Sequence, residues 1–249
     1  MKTLPCVAAA ATAMTLAAAL MTGCTSDQYD SGDGKYSYLR SDFAIVCTDA
    51  QSRMGSFTTD ERQTWTADGS PKVSWMTTPD STYRALVYYA TPSDADGDMT
   101  NGGSNNGGGT EATSSLKAVK VFAVQNVLCP EIKRWHSGKD MKTDPVKLEA
   151  MWLSTDRKYV NITFDVKTGS TTSDAEGQSI GATLREVVAN ANGTHTAHIT
   201  LCHDQGGVPQ YYSSRQYASL AVSQMQEADT AVVTVNTYDG VVKRTVALK

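Results

Sequence analysis

The chain has 249 residues, 40% of them hydrophobic and 19% charged, with a formal net charge of −4. That length holds one large or two ordinary domains with real cores, and the balance of apolar to charged residues excludes a disordered or polytopic chain. An acid excess without a basic stripe excludes a surface built for nucleic acid or anionic lipid.

The first 23 residues read as a targeting segment. Lys2 is a one-charge leader, and the run from Cys6 to Met21 is apolar and alanine-rich, interrupted only by Thr12 and Thr15. It is short for a membrane span and ends in small residues, as a secretory signal does. Its end, Leu20-Met21-Thr22-Gly23-Cys24, resembles the bacterial lipobox, with Met21 where the usual leucine stands. That resemblance implies cleavage before Cys24 and acylation of Cys24, which becomes the first residue of the mature chain. At ~0.8 kcal/mol per buried methylene, several acyl chains anchor a protein with no spanning helix. Losing residues 1–23 removes one positive charge, Lys2, and leaves a net charge of −5. Residues 24–34 follow as an acidic tether, with Asp27, Asp30 and Asp33 beside two glycines, too polar to fold alone. These acids read either as a plain solvated spacer or as the surface-export signal they look like in some Gram-negative lipoproteins.

Residues 35–130 are predicted to form a small barrel. Strand patterns run over Tyr36–Thr48, a weaker pair within Ser52–Thr66, Lys72–Thr77, Tyr83–Thr91 and Leu116–Leu128. Residues 93–115, "SDADGDMTNGGSNNGGGTEATSS", carry no periodicity and read as an insertion between the fourth and fifth strands. Five short strands with one long insertion suit an OB-like barrel. Residues 131–143, including Trp135, His136 and Gly138, read as a connector. From Asp144 to Lys249 seven strand candidates follow at the spacing of an immunoglobulin-like β-sandwich. The clearest is Lys158–Val166, where Val160, Ile162, Phe164 and Val166 alternate with Asn161, Thr163 and Asp165. Two hairpins turn at Asn192-Gly193 and Asp239-Gly240, dipeptides that favour turns matching strand twist. The expected fold is all-β: a barrel, then a sandwich, after a cleaved lipoprotein signal.

Four blocks together are specific: "YDSGDGKYSYL", "YRALVYY", "DPVKLEAMWLSTDRKYVNITFDV" (144–166) and "PQYYSSRQYASLAV" (209–222). In order and spacing they resemble the NigD-like lipoproteins, with the likeness covering essentially the mature chain. The stretch from Gln51 to Trp65 and the long 93–115 insertion depart from that family. The resemblance implies an N-terminal OB-like domain, a C-terminal β-sandwich, and at most an immunity or envelope role; it brings no catalytic residues to transfer.

Little in the chain points to chemistry. Cys47, Cys129 and Cys202 reach an exported compartment, an odd number that leaves at least one thiol unpaired within the chain. Cys47 and Cys129 lie at the ends of the first and fifth barrel strands, read as neighbours in an OB topology, so they can form a disulfide; the alternative is two buried reduced thiols. In "THTAHITLCH", Ala197, Ile199 and Leu201 set the core face of a strand. His195 and His203 then share that face and His198 and Cys202 the other, about 13 Å apart at ~3.3 Å per residue, too far for one zinc. "DADGD" (94–98) lacks the glycine and glutamate of an EF-hand, with Met99 and Asn105 in their places. The insertion is therefore either a linker or a loop bordering a barrel binding face. Neighbouring tyrosines, Tyr88-Tyr89 and Tyr211-Tyr212, together with Tyr217, divide between core and surface or stack on a sugar or peptide. No glycosidase carboxylate pair, nucleophile elbow or phosphate loop is visible.

The expectation is thus an acyl-anchored, non-enzymatic lipoprotein of the cell envelope at the outer membrane, on its periplasmic or surface side. It would use no cofactor or metal, would not bind nucleic acid, and would take a protein or glycan partner. The alternative is a carbohydrate-active or other hydrolase on the sandwich scaffold.

Overall fold

The computed structural model describes residues 39–91, 117–136, 142–170 and 177–249. The signal segment, Cys24, the 24–34 tether and the 93–115 insertion lie outside the described residues. Strands β1 (Arg40–Thr48), β2 (Met54–Thr59), β3 (Thr64–Ala67), β4 (Thr82–Ala90) and β5 (Ala118–Asn126) close into a barrel in the order β1-β2-β3-β5-β4. Closure through a parallel β3–β5 ladder, with the other neighbours antiparallel, is the OB-like arrangement. Period-two alternation sends Ala44 and Val46 of β1 and Ala85, Val87 and Tyr89 of β4 into the interior, with Phe57 of β2; a register shift at Cys47/Thr48 brings Met54 to the same side. On the outer face of the same strands Phe43, Arg84 and Leu86 are also buried. β4 is therefore covered on both sides, which is why "RALVYY" is nearly continuously apolar.

The expected strand at Lys72–Thr77 is a turn. Only Lys72 pairs, in a single bridge with Arg53, and the Met76 N–H donates to the Val73 carbonyl at 3.1 Å. A closed barrel offers no edge for another strand, so Val73, Trp75 and Met76 turn their side chains onto the barrel core instead.

Eight further strands build the sandwich: β6 (Ile132–Arg134), β7 (Lys147–Leu153), β8 (Tyr159–Thr168), β9 (Ser179–Ala189), β10 (His195–Asp204), β11 (Tyr212–Ala221), β12 (Thr230–Thr237) and β13 (Gly240–Ala247). One sheet runs β13-β12-β10-β9-β6 and the other β11-β8-β7. The β6–β9 and β10–β12 ladders are parallel. Val160, Ile162, Phe164 and Val166 of β8 share one core with Ala197, Ile199 and Leu201 of β10 and Val233 and Val235 of β12. β9–β10 and β12–β13 are the two hairpins read at Asn192-Gly193 and Asp239-Gly240. The segment read as a connector contributes β6, because Ile132 is apolar and packs into the sandwich core.

Barrel and sandwich lie within one compact unit, residues 39–249. The outer face of the three-stranded sheet is covered at one end: Asn161, Thr163 and Ser219 are buried there, and Leu128, leaving the barrel, bridges to Ala218 on β11. The expected Cys47–Cys129 disulfide is not formed; both thiols are free. The strands that were to bring them together are not neighbours, since β4 lies between β1 and β5, and both cysteines are exposed rather than buried.

Candidate functional site

The barrel meets the sandwich around one buried cation. Arg84 donates through both terminal nitrogens to Asp60, at 2.6 and 2.8 Å, and through Nε to Ser219 Oγ at 3.1 Å. Asn161 accepts from Arg84 at 3.1 Å and donates to Asp60 Oδ2 at 3.0 Å, while the Ser219 hydroxyl donates to Asn161 Oδ1 at 2.7 Å. The guanidinium also lies 4.3 Å from the centre of the Tyr159 ring and 5.4 Å from that of Phe43. Phe43 in turn meets Trp152 and Tyr217 edge-on. A forked, doubly hydrogen-bonded ion pair with satisfied neighbours is the form in which buried charge is tolerated.

A cavity of about 250 Å³ opens beside this network and collects Asp42, Asp60 and Glu61 with Phe43 and Trp152. Asp60 is held by Arg84, and Asp42 accepts the Tyr89 hydroxyl at 2.7 Å. Burial and that hydrogen bond push the Tyr89 phenol far above its ordinary range. Two of the three carboxylates are thus committed to fixing side chains, a poor arrangement for the paired acid and base of a glycosidase.

The larger feature lies on the sandwich, a groove of about 1040 Å³ beside β6. Gly181, Thr183 and Cys202 face it from adjacent strands in the register Cys202↔Gly181 and Thr200↔Thr183. A Cβ at Gly181 would make only an ordinary contact, 3.8 Å from the Cys202 Cβ. Trp135, His136 and Lys142 border the same space, with Lys133 and Asp204. The Trp135 N–H donates to the Leu184 carbonyl at 2.9 Å, fixing the backbone, and its ring, 39% exposed, stands 4.9 Å from the Arg185 guanidinium. An aromatic face held by a cation, lined with hydroxyl and ammonium groups, can stack on and hydrogen-bond a polar ligand.

The histidines divide as the alternation requires. Ala197, Ile199 and Leu201 are buried, and His203 on their face is buried too, its Nδ1–H directed at the Asp144 carbonyl 3.2 Å away. Among the described residues no group of three or more His, Cys, Asp or Glu side chains is arranged to hold a metal ion. Cys202 faces the groove with Sγ 3.3 Å from Thr183 Oγ1. The Cys129 thiol is pushed up by loss of hydration against a weaker pull from Arg84, away from the thiolate a nucleophile needs. Tyr89 fills the barrel and Tyr217 packs on Phe43, whereas Tyr211 and Tyr212 are 80% and 59% exposed. Arg84, Asp60, Asn161 and Ser219 were not singled out from the sequence. The one available signal was a charge inside the apolar run "YRALVYY".

No protein-family model matches the chain, and no curated protein matches it by sequence. Solved structures do. A NigD-like immunity protein from Bacteroides caccae is 15% identical, with 83% of this chain and 90% of that one covered at a TM-score of 0.54. The chain has the NigD-like fold. A candidate toxin-related protein from Parabacteroides distasonis matches at 19% identity and TM-score 0.55, over 83% of this chain and 91% of its own. A candidate lipoprotein from Bacteroides fragilis matches at 8% identity and TM-score 0.56, over 85% and 98%. At these identities the likeness is one of fold, and the NigD-like fold here comprises both the barrel and the sandwich. Among the described residues no helix is long and apolar enough to cross a membrane.

Proposed function

We propose that this chain is an acyl-anchored lipoprotein of the cell envelope, held at the outer membrane through Cys24. It acts as a non-enzymatic accessory protein that binds a protein or glycan partner, with immunity to a bacteriocin-like toxin as a special case. The observation that carries the binding role is the β6 groove, where Trp135 is held beside Arg185 at the border of a space of about 1040 Å³. The lipobox-like Leu20–Cys24 supports the anchor, and the fold shared with a NigD-like immunity protein supports the accessory role.

Two measurements test it. Cys24→Ala should abolish acyl labelling and release the protein from membranes; retained attachment overturns the anchor. A soluble form starting near Gly34, probed against glycan arrays and toxin panels, should give a ligand whose binding falls at least tenfold in Trp135→Ala. A ligand indifferent to Trp135 overturns the groove, and turnover of a substrate overturns the non-enzymatic reading.

A further inference from the structure

The two open sheets of the sandwich have four edge strands, β6 and β13 on one, β7 and β11 on the other. Three carry the devices by which sheets avoid adding a strand. β6 is three residues long, β7 bulges between Leu148 and Ala150 and bears Lys147 and Glu149, and β13 bears Lys243 and Arg244. β11 has none of these. It is ten residues long and in unbroken register with β8. Its one charged side chain, Arg215, is turned across its own sheet, donating to Asp165 at 2.8 Å and lying 3.4 Å from Glu149.

The backbone shows which groups are unused. Val222 continues the ladder by donating to the Lys158 carbonyl at 2.8 Å, so even-numbered residues bond β8 and odd-numbered ones point outward. At one end Leu128 takes the outward groups, donating to the Tyr217 carbonyl and accepting from the Ser219 N–H, both at 2.8 Å. At the other end the chain leaves the strand line at Tyr211, whose N–H turns back to the Thr168 carbonyl at 2.9 Å. Among the described residues the open edge is therefore Tyr212–Gln216, with the N–H and C=O of Ser213 and Arg215 directed away from the sheet.

We propose that this edge pairs with the same edge of a second copy, antiparallel about a twofold axis through Ser214. Ser214 is the midpoint of the open segment, so this register overlaps it fully. Each Ser213 then faces Arg215 of the other copy, and the outward N–H and C=O groups of both residues are bonded across the axis. An axis through Arg215 would set guanidinium against guanidinium, and one through Ser213 would set the Arg215 carbonyl against the Tyr211 N–H, which is already used. Tyr212, 59% exposed, comes opposite Gln216 and covers it. Five residues a side bury less than the ~800 Å² per partner of a standard interface, so the pairing is weak in dilute solution. Confinement to a surface by the lipid anchor proposed above would raise the effective concentration of copies.

The full-length protein in detergent, followed by sedimentation equilibrium over a concentration series, should pass from monomer to dimer. Ser213→Pro removes an N–H that makes no bond to β8, so its circular dichroism and melting should match the parent while dimer affinity falls at least tenfold. With Cys47, Cys129 and Cys202 replaced by serine, Ser214→Cys should form a disulfide dimer on mild oxidation. Facing residues on such an axis have Cα atoms ~4.5 Å apart, within disulfide reach, and Ser213→Cys should not cross-link above the parent. A monomer at every concentration, unchanged association in Ser213→Pro, or equal cross-linking at both positions overturns the proposal. None of these results touches the β6 groove, which lies on the other sheet.

Discussion

Asp165 on β8 and Arg215 on β11 stand directly opposite each other on the outer face of the three-stranded sheet. The hydrogen bond from Arg215, together with its charge and that of Lys147, holds the Asp165 carboxyl below the usual aspartate range against a smaller opposing effect of burial. A carboxyl whose folded value is depressed stabilises the fold above its unfolded value, near 3.9 for aspartate, and loses that contribution as pH falls through the folded value. Asp165→Asn should therefore melt below the parent at pH 7, and the gap should close as pH falls below about 4. A gap that stays constant down to acid pH would mean that packing, not charge, carries the effect. The same residues govern the β11 edge, because an Arg215 tied to Asp165 no longer guards it.

The loop from Gln205 to Tyr211 joins β10 to β11 and contains two glycines with different demands. Gly206 has φ +58°, and a Cβ there would collide with the Gly177 carbonyl; Gly207 has φ +75° with open space around it. Gly207→Ala should cost only the left-handed backbone penalty, about 1–2 kcal/mol, whereas Gly206→Ala adds a backbone clash and should cost more. Chemical denaturation of the two variants checks the order; equal losses would mean that the Gly177 segment yields. Elements of this kind were partly legible from residues alone. β8 and β10 announce themselves by strict alternation, and both hairpins by Asn-Gly and Asp-Gly. Lys72–Thr77 misled because apolar residues that plug a barrel have the composition of a strand. Asn161, Thr163 and Ser219 gave no sign of the junction, because alternation marks a face as polar without saying whether water or another part of the fold covers it. The groove was illegible for a related reason: Trp135, Gly181, Arg185 and Cys202 come from two strands and the segment after β6, and the parallel β6–β9 ladder with the β9–β10 pairing brings them together.

At the scale of the molecule the question is whether barrel and sandwich unfold together. Their junction buries Arg84 with Asn161 and Ser219, and packs Phe43 against Trp152 and Tyr217. The Arg84 and Asp60 side chains are only 3% and 14% exposed. Removing one partner of such a pair leaves an uncompensated charge and costs about 3–5 kcal/mol, whereas replacing both with apolar groups is close to neutral. That cost falls on the junction alone, because both cores are built from other residues. The parent should therefore melt in one calorimetric transition. Arg84→Met should melt in two, with the barrel unfolding first, because Asp60 belongs to it. The double variant Arg84→Met, Asp60→Leu should return to a single transition near the parent's midpoint, since it keeps the apolar contacts of Phe43 and Leu86 and removes the stranded charge. If Arg84→Met lowers one sharp transition without splitting it, the apolar contacts alone couple the two bodies and the ion pair only adds stability. If the parent itself shows two transitions, the network does not couple them at all.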